Sequence, residues 1–139
     1  MNRLDSLKPK VRRLALALMA ECRRQGLSVV ITQTLRTVEE QNRLYACGRT
    51  TPGKVVTQVR GGFSFHNYGV AFDFCPVKAG KADWNDLKSF DRIGAIGKSV
   101  GLEWGGSWKW FKDRPHFQYT DGYAIEDFLQ GNIDWQRFA

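Results

Sequence analysis

The segment at residues 69–75 (GVAFDFC) places one acidic side chain inside an otherwise apolar run of alternating small and large residues. Successive side chains of a β-strand point to opposite faces. One face of this strand is therefore wholly apolar: Val70, Phe72 and Phe74. That face belongs in a hydrophobic core, which leaves Asp73 on the other face, directed towards a cleft. The segment predicts a strand that separates a core from a polar site.

Helical patterns surround this strand. Apolar residues recur at three- and four-residue intervals from Leu4 to Cys22, which predicts an amphipathic helix ended by Gly26. Thr37 and Glu40 have the spacing of a capping box and predict the start of a second helix, before Gly48.

Further elements follow from the same rules. The β-branched run at residues 28–32 and the segment at residues 115–119 predict two more strands. A third helix is predicted from Asp86 to Gly101, and a short one at residues 126–130. The fold class is therefore α+β, with a small antiparallel sheet flanked by helices.

Composition sets limits on this reading. The chain has 139 residues, 42% of them hydrophobic and 25% charged, which suits one folded domain over residues 1–139 and excludes a disordered chain. The 21 Lys and Arg against 14 Asp and Glu give a net charge of +7, which favours a polyanionic partner such as nucleic acid, anionic lipid or an acidic wall polymer.

Cysteine usage and apolar runs predict where the protein is made. Three cysteines without C-x-x-C spacing indicate neither a disulfide framework nor a zinc knuckle. The apolar run at residues 14–20 is short and has no clean cleavage site, and no run is long enough for a membrane span. We therefore expect synthesis in the cytoplasm without a signal peptide.

The sequence has only two histidines, and each lies near an aspartate. His66 precedes Asp73, and Asp113 precedes His116. If the strands at residues 69–75 and 115–119 are neighbours, two imidazoles and one carboxylate converge: His66, Asp73 and His116. This donor set predicts a zinc site in a surface cleft, with a fourth position open for water.

Such a site favours amide hydrolysis. Asp113 is the candidate general base, because it is three residues from a ligand and can stand beside the metal without binding it. Arg36, at a strand-to-helix junction, is the candidate for stabilising an oxyanion or holding a substrate carboxylate.

The motifs carry a family resemblance. S-x-H-x-x-G-x-A-x-D begins at Ser64, W-G-G follows at residues 104–106, and D-x-P-H-F begins at Asp113. With the segment at residues 36–50, these motifs resemble the zinc D-Ala-D-Ala carboxypeptidase superfamily. Within it, the chain most resembles the L-alanyl-D-glutamate endopeptidases of bacteriophage endolysins and bacterial autolysins.

The resemblance implies one zinc ion per chain, with Asp113 as the base and Arg36 stabilising substrate or intermediate. Its substrate would be the stem peptide of peptidoglycan, cut between L-alanine and D-glutamate. The predicted substrate-binding residues are Ser64, Gln41, Gln118 and Trp108. Ser64 could instead support the site by a hydrogen bond, and Gln118 could orient His116.

The resemblance also implies a biological setting. The chain would be a single peptidase catalytic domain without a separate wall-binding module, as in compact phage endolysins. It would be a monomer made in the host cytoplasm, reaching the wall after release.

Two alternatives stay open at the level of sequence. The same fold could release terminal D-alanine as a carboxypeptidase. A different class is a nucleic-acid-binding module, which would use the basic residues interleaved with aromatics at residues 109–114 (KWFKDR). No nucleic-acid-binding motif is recognised, so no nucleic-acid partner is expected.

Overall fold

The computed structural model describes residues 3–139 and has four α-helices and five strands in that range. Residues 1 and 2 of the predicted domain lie outside it. The helices are α1 (Pro9–Arg24), α2 (Val38–Ala46), α3 (Leu87–Val100) and α4 (Ile125–Gln130). The strands are β1 (Val29–Gln33), β2 (Ala71–Lys78), β3 (Lys81–Ala82), β4 (Glu103–Trp104) and β5 (His116–Gln118).

The sheet has the order β1-β2-β5-β4, with β3 paired to the end of β2, and every pairing is antiparallel. The predicted α+β class is therefore confirmed. β2 and β5 are neighbours, as the convergence of the two histidine segments requires. Asp73 lies directly opposite His116 in this pairing.

Aromatic packing between the sheet and α3 forms much of the core. Phe74 and Phe117 stack with ring centroids 4.7 Å apart, and both are fully buried. Burying a side chain of this size contributes about 1.5–3 kcal/mol relative to leaving it in water. A Cβ added at Gly97 of α3 would come within 2.2 Å of the Phe117 ring, so the helix lies very close to β5.

One predicted helix boundary was wrong. α1 begins at Pro9 rather than at Leu4, which lies in a separate 3-10 turn, Arg3–Ser6. The α conformation is disfavoured before proline, and Lys8 is accordingly extended, with ψ of 147°. The second helix has the predicted Thr37–Glu40 capping box and ends at Ala46, with Gly48 just past its C-cap in the left-handed conformation that closes it, as predicted.

The second face of β2 is more covered than the alternation predicts. Ala71 and Cys75 share a face with Asp73, yet both are fully buried. The side chain of Asp73 retains 23% of its exposure. From Ala71 to Pro76 the strand is thus buried on both sides except where it presents this carboxylate.

The helices in residues 3–139 include none that is both long and apolar enough to cross a membrane.

Candidate metal centre

His66 is placed by a short turn that precedes β2. It lies in a 3-10 helix, Phe65–Tyr68, whose N-cap is Ser64, and the Ser64 hydroxyl accepts a hydrogen bond from the His66 amide at 3.2 Å. The ring is buried, and its Nδ1 lies 3.0 Å from the carbonyl oxygen of Thr34. Because a carbonyl only accepts, Nδ1 carries the proton and Nε2 keeps a free electron pair.

That free nitrogen faces the carboxylate on the neighbouring strand. Nε2 of His66 is 3.2 Å from Oδ1 of Asp73, and Nδ1 of His116 is 3.5 Å from the same oxygen. The two imidazole rings meet edge to face, with centroids 5.1 Å apart. The structure therefore brings the three predicted ligands to one point.

His116 is oriented by a chain of polar side chains on its other side. Its Nε2 is 2.7 Å from Oε1 of Gln118, and Nε2 of Gln118 donates to Glu103 at 3.4 Å. The Glu103 carboxylate in turn accepts from the amide and hydroxyl of Thr120, both at 3.0 Å. Since Gln118 must present its amide nitrogen to Glu103, its oxygen faces His116, and His116 donates from Nε2.

These partners test whether the site fits a metal ion. In their neutral forms both imidazoles donate their proton outward, so each directs a lone pair at Oδ1 of Asp73. The three possible ligand atoms lie within 4.8 Å of one another. Three electron-pair donors facing one another need a cation between them, and two nitrogens with one carboxylate oxygen form a donor set that suits zinc.

The electrostatics of the three groups reflect this arrangement. Burial would raise the pKa of Asp73, but its interactions with His116 and His66 lower it well below its ordinary value. Burial would lower the pKa of His116, but its interaction with the negative charge of Asp73 raises it. The carboxylate is thus held in its ionised form, as a metal ligand must be.

Asp113 stands next to this centre and lines the same cleft. Burial raises the pKa of its carboxyl; the charge of Asp73 acts in the same direction, while His116 opposes it. A carboxyl with a raised pKa accepts and returns a proton closer to neutral pH. Its neighbourhood depends on Gly105, whose carbonyl accepts from the Asp113 amide at 3.0 Å. A Cβ at Gly105 would lie 2.3 Å from the Asp113 carbonyl oxygen.

Arg36 follows β1 and lines the same cleft. Its backbone amide donates to the His66 carbonyl at 2.9 Å, and Nη1 donates to Oε1 of Gln41 at 2.8 Å. Its Nε is buried without a hydrogen-bond partner among the described residues. A buried guanidinium nitrogen without a partner is costly, and it leaves Arg36 with donor capacity for an anionic ligand.

The cleft has a volume of about 760 Å³ and contains most of the predicted site residues. Ser64, Gln118 and Trp108 line it together with the three ligands, and the Trp108 ring lies 5.2 Å from that of His116. Gln41 is different, because it is fully buried behind Arg36. Its amide nitrogen donates to Val59 at 2.8 Å and to Thr57 at 3.2 Å.

Three supporting residues were not found from the sequence. Thr34 offers only its backbone carbonyl, which any residue type could supply. Glu103 lies on a strand of two residues, too short to leave a period-two pattern. Gly105 has a signal in the W-G-G motif, but its reason, the close approach of the Asp113 backbone, is visible only in three dimensions.

Comparison with known proteins agrees with this geometry. A family model described as D-alanyl-D-alanine carboxypeptidase matches residues 57–119, which include all three metal-binding candidates and Asp113. The chain is 42% identical over 129 residues to the peptidoglycan L-alanyl-D-glutamate endopeptidase CwlK of Bacillus subtilis, covering 82% of this chain and 74% of CwlK. It is 34% identical over 109 residues to an L-alanyl-D-glutamate peptidase of a Listeria phage, covering 76% of this chain and 36% of that protein.

The fold is also that of a solved peptidase. The Serratia marcescens L-Ala D-Glu endopeptidase ChiX matches with a TM-score of 0.66 and 24% identity, covering 85% of this chain and 84% of ChiX. The fold and site thus define a metallopeptidase. The chain belongs to the D-alanyl-D-alanine carboxypeptidase family, in the branch of the L-alanyl-D-glutamate endopeptidases.

Proposed function

We propose that the protein is a zinc-dependent endopeptidase that hydrolyses the L-alanyl-D-glutamate bond in the stem peptide of peptidoglycan. The observation that carries this proposal is the group formed by His66, Asp73 and His116, which direct three electron-pair donors at one point beside Asp113. The likeness to CwlK supports the choice of bond.

The chain's own groups supply the proton transfers. When bound, zinc lowers the pKa of a coordinated water to about 7 and polarises the substrate carbonyl. Asp113 takes the proton of the attacking water and returns it to the departing amine of D-glutamate. Its raised pKa suits both halves of that role.

Arg36 provides positive charge to the same cleft. Gln41 fixes the guanidinium through its 2.8 Å hydrogen bond, and the unpartnered Nε remains to bind an anion. The developing oxyanion and the free carboxylate of the D-glutamyl residue are the two anions that the substrate offers. Gln41 thus acts by positioning Arg36 and the segment at residues 57–59.

Ser64 and Trp108 remain candidates for direct contact with the peptide, since both line the cleft. Gln118 is better placed to orient His116, because its amide is bonded to that ring on one side and to Glu103 on the other. We also propose that residues 1–139 act as a monomeric catalytic unit with one zinc ion, at the cell wall, without a nucleic-acid partner.

We expect Gln118→Leu to weaken zinc binding by about 10- to 100-fold, because the outward hydrogen bond of a ligating histidine fixes its orientation and tautomer. The measurement is the rate at which a coloured chelator removes zinc from the folded protein. If the chelator removes zinc from Gln118→Leu at the same rate as from the wild type, Gln118 does not orient His116.

The function itself is tested by digesting purified peptidoglycan with the enzyme, with and without a chelator. Mass analysis of the fragments should show new amino termini on D-glutamate. These should disappear with the chelator and return when zinc is added. Release of free D-alanine would place the enzyme with the carboxypeptidases instead. A folded, zinc-loaded protein that cuts no peptidoglycan would contradict the proposal.

A further inference from the structure

A short loop beside the cleft carries the two most exposed large hydrophobic side chains of the described residues. Trp110 is 74% exposed and Phe111 80%. Lys109 and Lys112 flank them, and Nζ of Lys109 lies 5.5 Å from the centre of the Trp110 ring. We call residues 109–112 the aromatic tip. Adjacent exposed aromatics with a polar rim mark a binding surface rather than packing material.

The aromatic tip projects from a fixed base. The amides of Trp108 and Asp113, on either side of the tip, both donate to the carbonyl of Gly105, at 3.2 and 3.0 Å. The Trp108 ring packs against His116, and the indole nitrogen of Trp104 donates to the Arg114 carbonyl at 2.8 Å. A surface held in this way binds with a smaller entropic cost than a free loop.

The backbone of the tip also points to a role in binding. Phe111 has φ of +54°, in the left-handed region that bulky residues seldom adopt. Such a conformation is strained for a side chain of this size. Here the strain is not offset by burial of the ring, which stands in water.

We propose that the aromatic tip binds the glycan strand of peptidoglycan next to the stem peptide being cut. This inference rests on the proposed function. In that substrate L-alanine is joined directly to the lactyl group of a muramic acid, so one residue separates the scissile bond from the sugar. One residue spans only about 3.3–3.6 Å, so the sugar must lie close to the metal centre.

The aromatic tip borders the cleft that holds this centre. Phe111 and Lys112 line the same cleft as His116, and Trp110 is two residues from Trp108, which contacts the His116 ring. The C–H faces of a pyranose stack on exposed aromatic rings, and lysines donate to its hydroxyl and acetamido oxygens. The aromatic tip thus has the chemistry of a sugar subsite that continues the peptide cleft.

A lipid bilayer is the other surface that attracts exposed aromatics flanked by lysines. Continuity with the cleft favours the glycan, because Phe111 and Lys112 belong to both surfaces. A flat bilayer resting on the aromatic tip would obstruct the opening through which the peptide reaches His66 and His116.

The test compares two substrates: intact peptidoglycan sacculi, and a sugar-free stem peptide containing the L-Ala–D-Glu bond. We expect Trp110→Ala to lower the ratio of the sacculus rate to the peptide rate by about tenfold, the scale of a binding hot spot. Trp110→Tyr should restore most of that ratio, since it keeps a stacking ring. Leu16→Ala is the matched control, because Leu16 is 50% exposed on α1, and should leave the ratio unchanged.

The outcomes separate the alternatives. An unchanged ratio in Trp110→Ala overturns the glycan subsite, and so does an equal loss on both substrates. Loss of binding to anionic phospholipid vesicles, with the ratio retained, assigns the aromatic tip to a membrane instead. If the zinc-loaded wild type cuts neither substrate, the proposed function fails. If the wild type cuts both substrates and Trp110→Ala has the same ratio of sacculus rate to peptide rate, only the glycan subsite is contradicted and the proposed function stands.

Discussion

His116→Ala is expected to lose zinc and hydrolytic activity together. The substitution removes Nδ1, which faces Oδ1 of Asp73 at 3.5 Å, and leaves His66 and Asp73 as two donors. Catalytic zinc sites use three protein ligands, so two should not retain the ion during purification. Elemental analysis should find one zinc ion per chain in the wild type and close to none in the variant. Activity should fall below detection.

Two further variants keep this prediction separate from misfolding. Asp73→Asn retains the side-chain volume but removes the charge, and it should also lose the metal. Tyr119→Phe changes the residue after β5 by removing one hydroxyl, whose bond to Asp121 is 3.4 Å long. It should keep zinc and activity. A folded His116→Ala protein that binds zinc as tightly as the wild type would show that the metal lies elsewhere.

The convergence of His66, Asp73 and His116 could be predicted from the sequence because each strand carries its own evidence. Asp73 interrupts an apolar alternation, and His116 opens a second strand. Both side chains can project into one site only if the strands pair in register. The observed pairing places Asp73 opposite His116. That register could not be read from either segment alone, because the sequence does not specify which strands are neighbours.

The surroundings of the site were harder to predict, for two physical reasons. Gln41 resembles a polar residue on a helix surface, but it is fully buried because Arg36 and the segment at residues 57–59 close over it. Glu103 supports His116 through Gln118 from a strand of two residues. Contacts between segments far apart in sequence leave no local periodicity, so only the folded structure identifies these roles.

The start of α1 was misplaced for a local reason. Periodic apolar spacing runs through Leu4 and Leu7 as if one helix continued, and Leu7 is indeed buried. The break is set by Pro9, which forces Lys8 into an extended conformation. The conformational restriction that Pro9 places on Lys8 therefore sets the start of α1, although the apolar spacing continues on its N-terminal side.

Asp113→Asn is expected to keep zinc and lose about 10²- to 10⁴-fold in kcat, the range of a general acid–base group. Asparagine has nearly the same shape, and the backbone bonds of residue 113 to Gly105 and His116 do not involve its side chain. The amide oxygen is too weak a base to take a proton from water at neutral pH. The zinc content, measured on the protein used for kinetics, should equal that of the wild type.

The matched control removes a nearby charge that does not face the cleft. Asp91 on α3 is bonded to Arg114 at 2.9 Å, so Asp91→Asn alters the electrostatic field close to Asp113 without touching the substrate. Its kcat should stay within about twofold of the wild type, since exposed ion pairs are worth little. If Asp113→Asn, fully loaded with zinc, also turned over within twofold, the proton would have to be carried by another group. Comparable losses of kcat in Asp113→Asn and Asp91→Asn would assign the effect to the electrostatic field of the cleft. A large loss of kcat in Asp113→Asn alone identifies Asp113 as the base.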